Sequence, residues 1–190
     1  LDGAPRGATW TPDGTIVFAT SPGATGLQRV GAAGGPVTVL TRPDRAQGEA
    51  DHVWPERLPG GRAVLFTITA LTGGLDAAQV AVLDLQTGTR TILVRGGSHA
   101  HYVQSGRASP AGLAGGLVSP TPGEGGYLVY AAAGTLRAVP FDLATLTTRG
   151  TPVPIVPDVV TTAAGAGDAV VAGDGTLAYV SGASVAAAPR

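Results

Sequence analysis

One phrase recurs along this chain, and its period limits the folds open to it. Each copy is a short apolar run, a turn carrying glycine, and a second run of β-branched or aromatic residues. The first copy is Thr9-Trp10-Thr11-Pro12-Asp13-Gly14-Thr15-Ile16-Val17-Phe18 and the second is Glu56-Arg57-Leu58-Pro59-Gly60-Gly61-Arg62-Ala63-Val64-Leu65-Phe66. The last is Val170-Val171-Ala172-Gly173-Asp174-Gly175-Thr176-Leu177-Ala178-Tyr179. A third is split: His101-Tyr102-Val103-Gln104-Ser105-Gly106 resumes after a gap as Tyr127-Leu128-Val129-Tyr130. Aligned on Gly14, Gly61, Gly106 and Gly175, the copies stand 47, 45 and 69 residues apart. Strand, tight glycine turn and strand together predict a hairpin.

Two more strands follow the hairpin in each of the first three units. They read as Leu27 to Val30 and Val37 to Leu40, Gln79 to Leu85 and Arg90 to Val94, then Thr135 to Phe141 and Val153 to Val156. Four strands in a period of about 45 residues is the arithmetic of a propeller blade. The expected fold is therefore all-β, a β-propeller of four-stranded antiparallel blades with about three and a half blades in this chain. Blade 1 takes about residues 7–42, blade 2 about 48–97, blade 3 about 98–160, and a partial blade 4 about 163–182. The long third interval has a local cause. Residues 107–126, with six Gly and three Pro and no periodicity, read as a flexible insertion between two strands of blade 3. The fourth unit reads as stopping after its second strand. An open ring leaves a blade edge unpaired, so a homo-oligomer is expected, most simply a dimer that completes the propeller.

Composition narrows the function classes. Formal net charge is −1 and the arginines are scattered, so no footprint for nucleic acid or an anionic membrane is visible. No apolar run approaches a membrane span. Cys is absent, which removes thiol nucleophiles, disulfides and thiolate metal sites. All 12 basic residues are Arg, and without Lys there is no Schiff-base chemistry and no P-loop lysine. The joint lack of Lys, Asn and Met beside abundant Ala, Gly, Pro and Arg suggests a high-GC bacterial gene. A start without Met reads as a fragment or processed piece, with any signal for an extracytoplasmic location outside it.

The units resemble the TolB-like, WD-repeat-like propeller repeats, especially those attached to bacterial serine/threonine kinases. The resemblance rests on Trp54-Pro55 with Leu58-Pro59-Gly60-Gly61 and Val64-Leu65-Phe66-Thr67, on Gly96-Gly97-Ser98-His99-Ala100 with Tyr102-Val103, and on Gly134-Thr135-Leu136 with Ala138-Val139-Pro140-Phe141-Asp142. It implies a propeller serving protein or ligand binding and sensing. The chain departs from the pattern in its insertion, in its early stop, in Gly60 at a usually acidic turn position, and in His101 where Arg is expected.

Chemistry-bearing residues gather near the expected innermost strands. His99 and His101 are two apart in a predicted strand, which puts them on one face, and His52 enters the preceding blade. With Asp168 at the corresponding entry to the fourth blade, these residues are candidate ligands for one divalent transition metal, Zn, Mn, Fe or Ni. Glu49, Asp51 and Glu56 accompany His52. Asp51 and Glu56 are the candidate general base, or the carboxylate that orients a metal-bound histidine, for hydrolysis of an ester, lactone or phosphotriester. The competing reading is structural: a His beside Trp54-Pro55 hydrogen-bonds a neighbouring backbone group, and Asp residues in such turns cap hairpins. Ser98 and His99 are consecutive, so they face opposite ways and cannot act as nucleophile and base. No Gly-x-Ser-x-Gly elbow occurs, and Gly165-Ala166-Gly167-Asp168 reads as a turn. Trp10, Trp54, Phe18, Phe66 and Tyr179 are expected to form core between blades. Two functions stay open: a non-catalytic recognition or sensor module binding a protein or small ligand at the channel mouth, and a metal-dependent hydrolase.

Overall fold

A computed structural model describes residues 3–21, 24–105, 125–172 and 175–182. The chain divides into two compact units, Leu1–His99 and Ala100–Arg190. In the first unit, β1 (Ala4–Trp10), β2 (Thr15–Ser21), β3 (Gln28–Gly31) and β4 (Thr38–Val39) form one antiparallel sheet in that order. The strands β5 (Glu49–Arg57), β6 (Ala63–Ala70), β7 (Gln79–Asp84) and β8 (Arg90–Arg95) form a second. Short 3-10 turns at Arg45–Gln47 and Gly74–Ala77 are the helical elements among the described residues. None of them is long and apolar enough to cross a membrane.

The core of this unit lies between its two sheets. Val17 and Ala19 of β2, with Leu27, meet Val64, Phe66 and Ile68 of β6 and Ala81 and Leu83 of β7. Val64, Phe66 and Ile68 alternate along one face of β6, while Leu65 and Thr67 on the other face are equally buried. A strand covered on both sides needs no polar alternation, which is why its sequence is a continuous apolar run. Burying Phe66 contributes about 2–3 kcal/mol.

In the second unit, β9 (Ser98–Gln104), β10 (Gly125–Ala132), β11 (Thr135–Asp142) and β12 (Thr147–Thr148) make a sheet in which β11 also pairs with β13 (Val153–Val156). The unit boundary falls within β9. β11 serves two short partners in succession: Phe141 and Asp142 pair with β12, and Leu136 to Ala138 with β13. The last strands, β14 (Ala169–Val171) and β15 (Leu177–Tyr179), form a two-stranded sheet. Val103, Val129, Ala131, Leu136, Ala138 and Val159 form the core here, with Ala169, Val171 and Leu177 against it.

Two expectations need correction. Phe18 and Phe66 are buried as expected, but Trp10 is 58% and Tyr179 46% exposed. The phenylalanines stand on β2 and β6, which have a strand on each side, whereas Trp10 ends the edge strand β1 and Tyr179 ends β15, an edge of a two-stranded sheet. The insertion also ends earlier than its composition suggests. Gly125 and Gly126 already belong to β10, paired with Asp142 and Phe141. A Cβ on Gly126 would lie 2.7 Å from the Tyr102 ring and 2.3 Å from the Val103 carbonyl oxygen, so glycine there reflects close approach. The amide and hydroxyl of Ser105 both donate to the Gly125 carbonyl oxygen, at 3.2 and 2.5 Å. The rest of the predicted insertion lies outside the described residues.

Sequence reading missed a regular irregularity in the strands β1, β5 and β9, which open the first three sheets. Gly7, Trp54 and His99 all have left-handed backbone, with φ of 93°, 55° and 49°. They are separated by 47 and 45 residues, the same spacings as Gly14, Gly61 and Gly106. Pairing slips beside the first two, between Pro5 and Ala8 and between Val53 and Glu56. The first two are thus bulges built into the repeat. A Cβ on Gly7 would meet the Trp54 Cα at 3.0 Å, and the Trp54 and His99 ring centroids are 5.4 Å apart. The His99 amide is held by the buried Thr67 hydroxyl at 2.8 Å. Because β-branched residues strongly resist positive φ, His99→Val should cost about 1–3 kcal/mol of stability, while His99→Asn should cost clearly less. Urea unfolding of the two variants beside the parent measures the difference, and equal losses would refute the backbone argument.

Candidate functional site

Of the residues singled out from sequence, His52 has the most fully formed surroundings. It lies on β5 with no solvent exposure, its ring 5.1 Å from that of Phe66. Its Nδ1 hydrogen-bonds the Thr41 hydroxyl at 2.8 Å, and Thr41 in turn accepts the Leu27 amide at 2.8 Å. Its Nε2 is 3.0 Å from Glu49 Oε2 and 3.0 Å from Arg90 Nη1. Glu49 Oε2 is the shared acceptor of the cluster. The Arg90 guanidinium donates to it at 2.8 Å, the Asp44 amide at 2.7 Å, and the Nε2–H tautomer of His52 from the third side. Gly26 closes the cluster, since a Cβ there would lie 2.6 Å from the Thr41 hydroxyl and 2.7 Å from His52 Nδ1.

Strict strand alternation would set Glu49 and His52, three apart, on opposite faces. The β5–β6 register shift between Glu49 and Asp51 changes that parity and brings the two side chains together. Arg90 on β8 and Thr41, which complete the cluster, carry no local sequence signal of their role. They arrive through pairing across 38 and 11 residues.

The electrostatics follow from burial and partners. Burial, the largest influence on His52, pushes its pKa below the ordinary 6.5, against the pull of Glu49 and with help from the Arg90 charge. For Glu49, burial alone would raise the carboxyl. The hydrogen bonds from Arg90, the Asp44 amide and His52 outweigh it and hold the group below its ordinary value. The product is a carboxylate with three donors beside a neutral imidazole whose two nitrogens are both engaged.

The other candidates are placed differently. Asp51, half-buried on β5, accepts the His52 amide at 2.8 Å, and burial raises its pKa against the pull of that bond and of Arg6 and Arg45. Glu56 is half-buried beside the Trp54 bulge. His99, in the first unit, carries the left-handed backbone that upsets the alternation on which its shared face with His101 depended. His101 is half-buried on β9 and Asp168 is exposed just before β14, both in the second unit. Among the described residues no three His, Cys, Asp or Glu side chains form a group able to hold a metal ion. The donor set around His52 does not fit a metal either: coordination would require a ring nitrogen to give up Thr41 or Glu49 in a site closed to solvent.

No protein-family model matches the chain, and no curated protein matches it. Solved structures do. The calcium-binding protein regucalcin from Agrobacterium tumefaciens is similar with TM-score 0.56 and 17% identity, covering 95% of this chain and 54% of that one. TolB from Acinetobacter baumannii is similar with TM-score 0.54 and 15% identity, covering 97% and 39%. Both are β-propellers, and at these identities the likeness speaks for fold alone. The chain spans about half or less of their length. With its four-stranded antiparallel sheets repeating in order, it is an all-β protein of TolB-like propeller fold.

His52 carries a sign for acid stability. Its depressed pKa means that the unfolded chain takes up the proton first, so the stabilisation is complete above 6.5 and is lost as pH falls below it. Lower still, the lowered Glu49 and the raised Asp51 act in opposite directions. Urea midpoints should therefore fall between about pH 7 and pH 5.5; a flat profile with an NMR-observed ring titration at or above 6.5 would contradict the buried network. Arg90→Met, which strips Glu49 of its cation, should cost about 3 kcal/mol in the same unfolding assay at neutral pH.

Proposed function

We propose that the chain is a non-catalytic recognition module, a sensor propeller that binds a protein or small ligand at the mouth of its channel. On the resemblance to kinase-attached repeats, it is carried by a larger polypeptide. One observation supports this over hydrolysis: both ring nitrogens of His52 are spent, Nδ1 on Thr41 and Nε2 on Glu49, with the ring sealed from solvent. A hydrolytic centre needs an open ligand position and a base that can reach a substrate. A closed cluster offers neither and instead ties Thr41, β5 and β8 together, the work of a scaffold.

The test is elemental analysis of the purified chain beside hydrolysis of ester, lactone and phosphotriester substrates, repeated on the His99→Asn/His101→Gln double variant. Asn tolerates the left-handed backbone at 99, so the variant keeps its fold. The expected outcome is no stoichiometric transition metal and no hydrolysis that the variant abolishes. Metal and activity lost together in the variant would overturn the proposal.

Association with a second copy belongs to the same reading. Val170, Tyr179 and Val180 are 53%, 46% and 54% exposed on and beside the two-stranded β14–β15 sheet. Large apolar side chains on a sheet that has only two strands among the described residues favour a protein partner. Light scattering should return a dimer, and Val170→Glu should shift it to monomer; a monomeric parent chain would refute the association.

A further inference from the structure

A cleft of about 270 Å³ opens in the first unit where three turns converge. Its wall is the β1–β2 turn with Thr11 and Asp13, the β5–β6 turn with Gly60, Gly61 and Arg62, and Gln86 of the β7–β8 turn. Leu85 supplies apolar surface, while Val17, also in the wall, belongs to the buried core at 1% exposure. Arg29 enters from β3, where it is the cross-strand partner of Val17 and so shares its face.

The charges in this cleft are unevenly satisfied. The Nε and Nη2 of Arg62 both donate to Asp84 Oδ2, at 3.0 and 2.8 Å, which neutralises that pair. Asp84 Oδ1 is taken by the Gln86 and Thr87 amides. Asp13 Oδ1 accepts the Thr11 hydroxyl at 2.5 Å and the Thr15 amide at 3.1 Å, and the Thr15 hydroxyl adds to the pull on the carboxyl. Those bonds lower its pKa, so it is an anion at neutral pH. No described cation pairs with it, and no described residue pairs with Arg29. One cleft thus presents a cation without a partner, a carboxylate without a cation and apolar surface at Leu85. Its formal charge, counting Arg29, Arg62, Asp13 and Asp84, is zero. A dianion would be overcharged here, whereas a molecule with one charge of each sign balances.

We propose that this cleft binds a small zwitterion of the α-amino acid class, its carboxylate on the Arg29 guanidinium, its ammonium on the Asp13 carboxylate and an apolar side chain toward Leu85. A planar guanidinium matches the two oxygens of a carboxylate, and Arg62 Nη1 is a further donor. The cleft lies within the first unit, so the inference stands whether or not the channel mouth binds anything.

The test is NMR titration of the whole chain with leucine, N-acetyl-leucine and leucinamide at matched ionic strength. Leucine should shift amides in residues 11–17, 60–62 and 86, and each blocked analogue should bind at least roughly tenfold more weakly. Arg29→Gln and Asp13→Asn should each weaken leucine binding by a similar factor with unchanged thermal unfolding. Arg29 makes no internal pair, and an Asn side-chain oxygen can still accept from Thr11 and Thr15. No shifts with leucine up to about 10 mM would overturn the proposal. Equal binding of N-acetyl-leucine would overturn it too, by showing a plain anion site, as would leucine binding that survives both substitutions.

Discussion

The structure of the first unit depends on a backbone constraint that the repeat carries with it: the strands β1, β5 and β9 each turn left-handed at one position. That position is Gly7, Trp54 and His99 in succession. An ordinary side chain adopts this conformation only when its surroundings hold it there. Here the surroundings are the same position of the next repeat. Trp54 lies against Gly7, the His99 ring lies beside Trp54, and Thr67 of the second sheet grips the His99 amide. The bulge and the packing between sheets are one arrangement, each making the other tolerable.

The fold was legible in the sequence because its signals are local and repeated. Hairpin turns with Gly14 and Gly61, β-branched runs such as Val64-Leu65-Phe66, and the common period required no knowledge of tertiary contacts. Finer features failed where a contact between distant residues decides. Nothing local distinguishes exposed Trp10 from buried Phe66; what differs is whether a strand lies on both sides. Gly126 resembles the glycines of a loop until Tyr102 is seen against it.

The candidate site was legible only in its members. His52 and Glu49 stand out in a chain with 3 His and 13 acidic residues. Their relation does not, since an extra residue in β5 reverses the parity on which any strand-face argument rests. Arg90 and Thr41 were invisible because pairing over long sequence separations places them. The outcome favours architecture over chemistry: a carboxylate with three donors and an imidazole with no idle nitrogen hold elements in register.

The row of left-handed positions also fixes the order of the repeats. The contacts run from small to large to intermediate, glycine to tryptophan to histidine, and the 3.0 Å approach at Gly7 leaves no room for a second bulky residue. Repeats of one evolutionary origin are often pictured as interchangeable cassettes. Here they are not: setting a copy of the second repeat in place of the first would put indole against indole where a single Cβ would already lie 3.0 Å from the Trp54 Cα. The sequence of blades is written into the molecule as a fixed succession of side-chain sizes, and a circular permutant would keep that succession only if it left the Gly7 and Trp54 repeats adjacent.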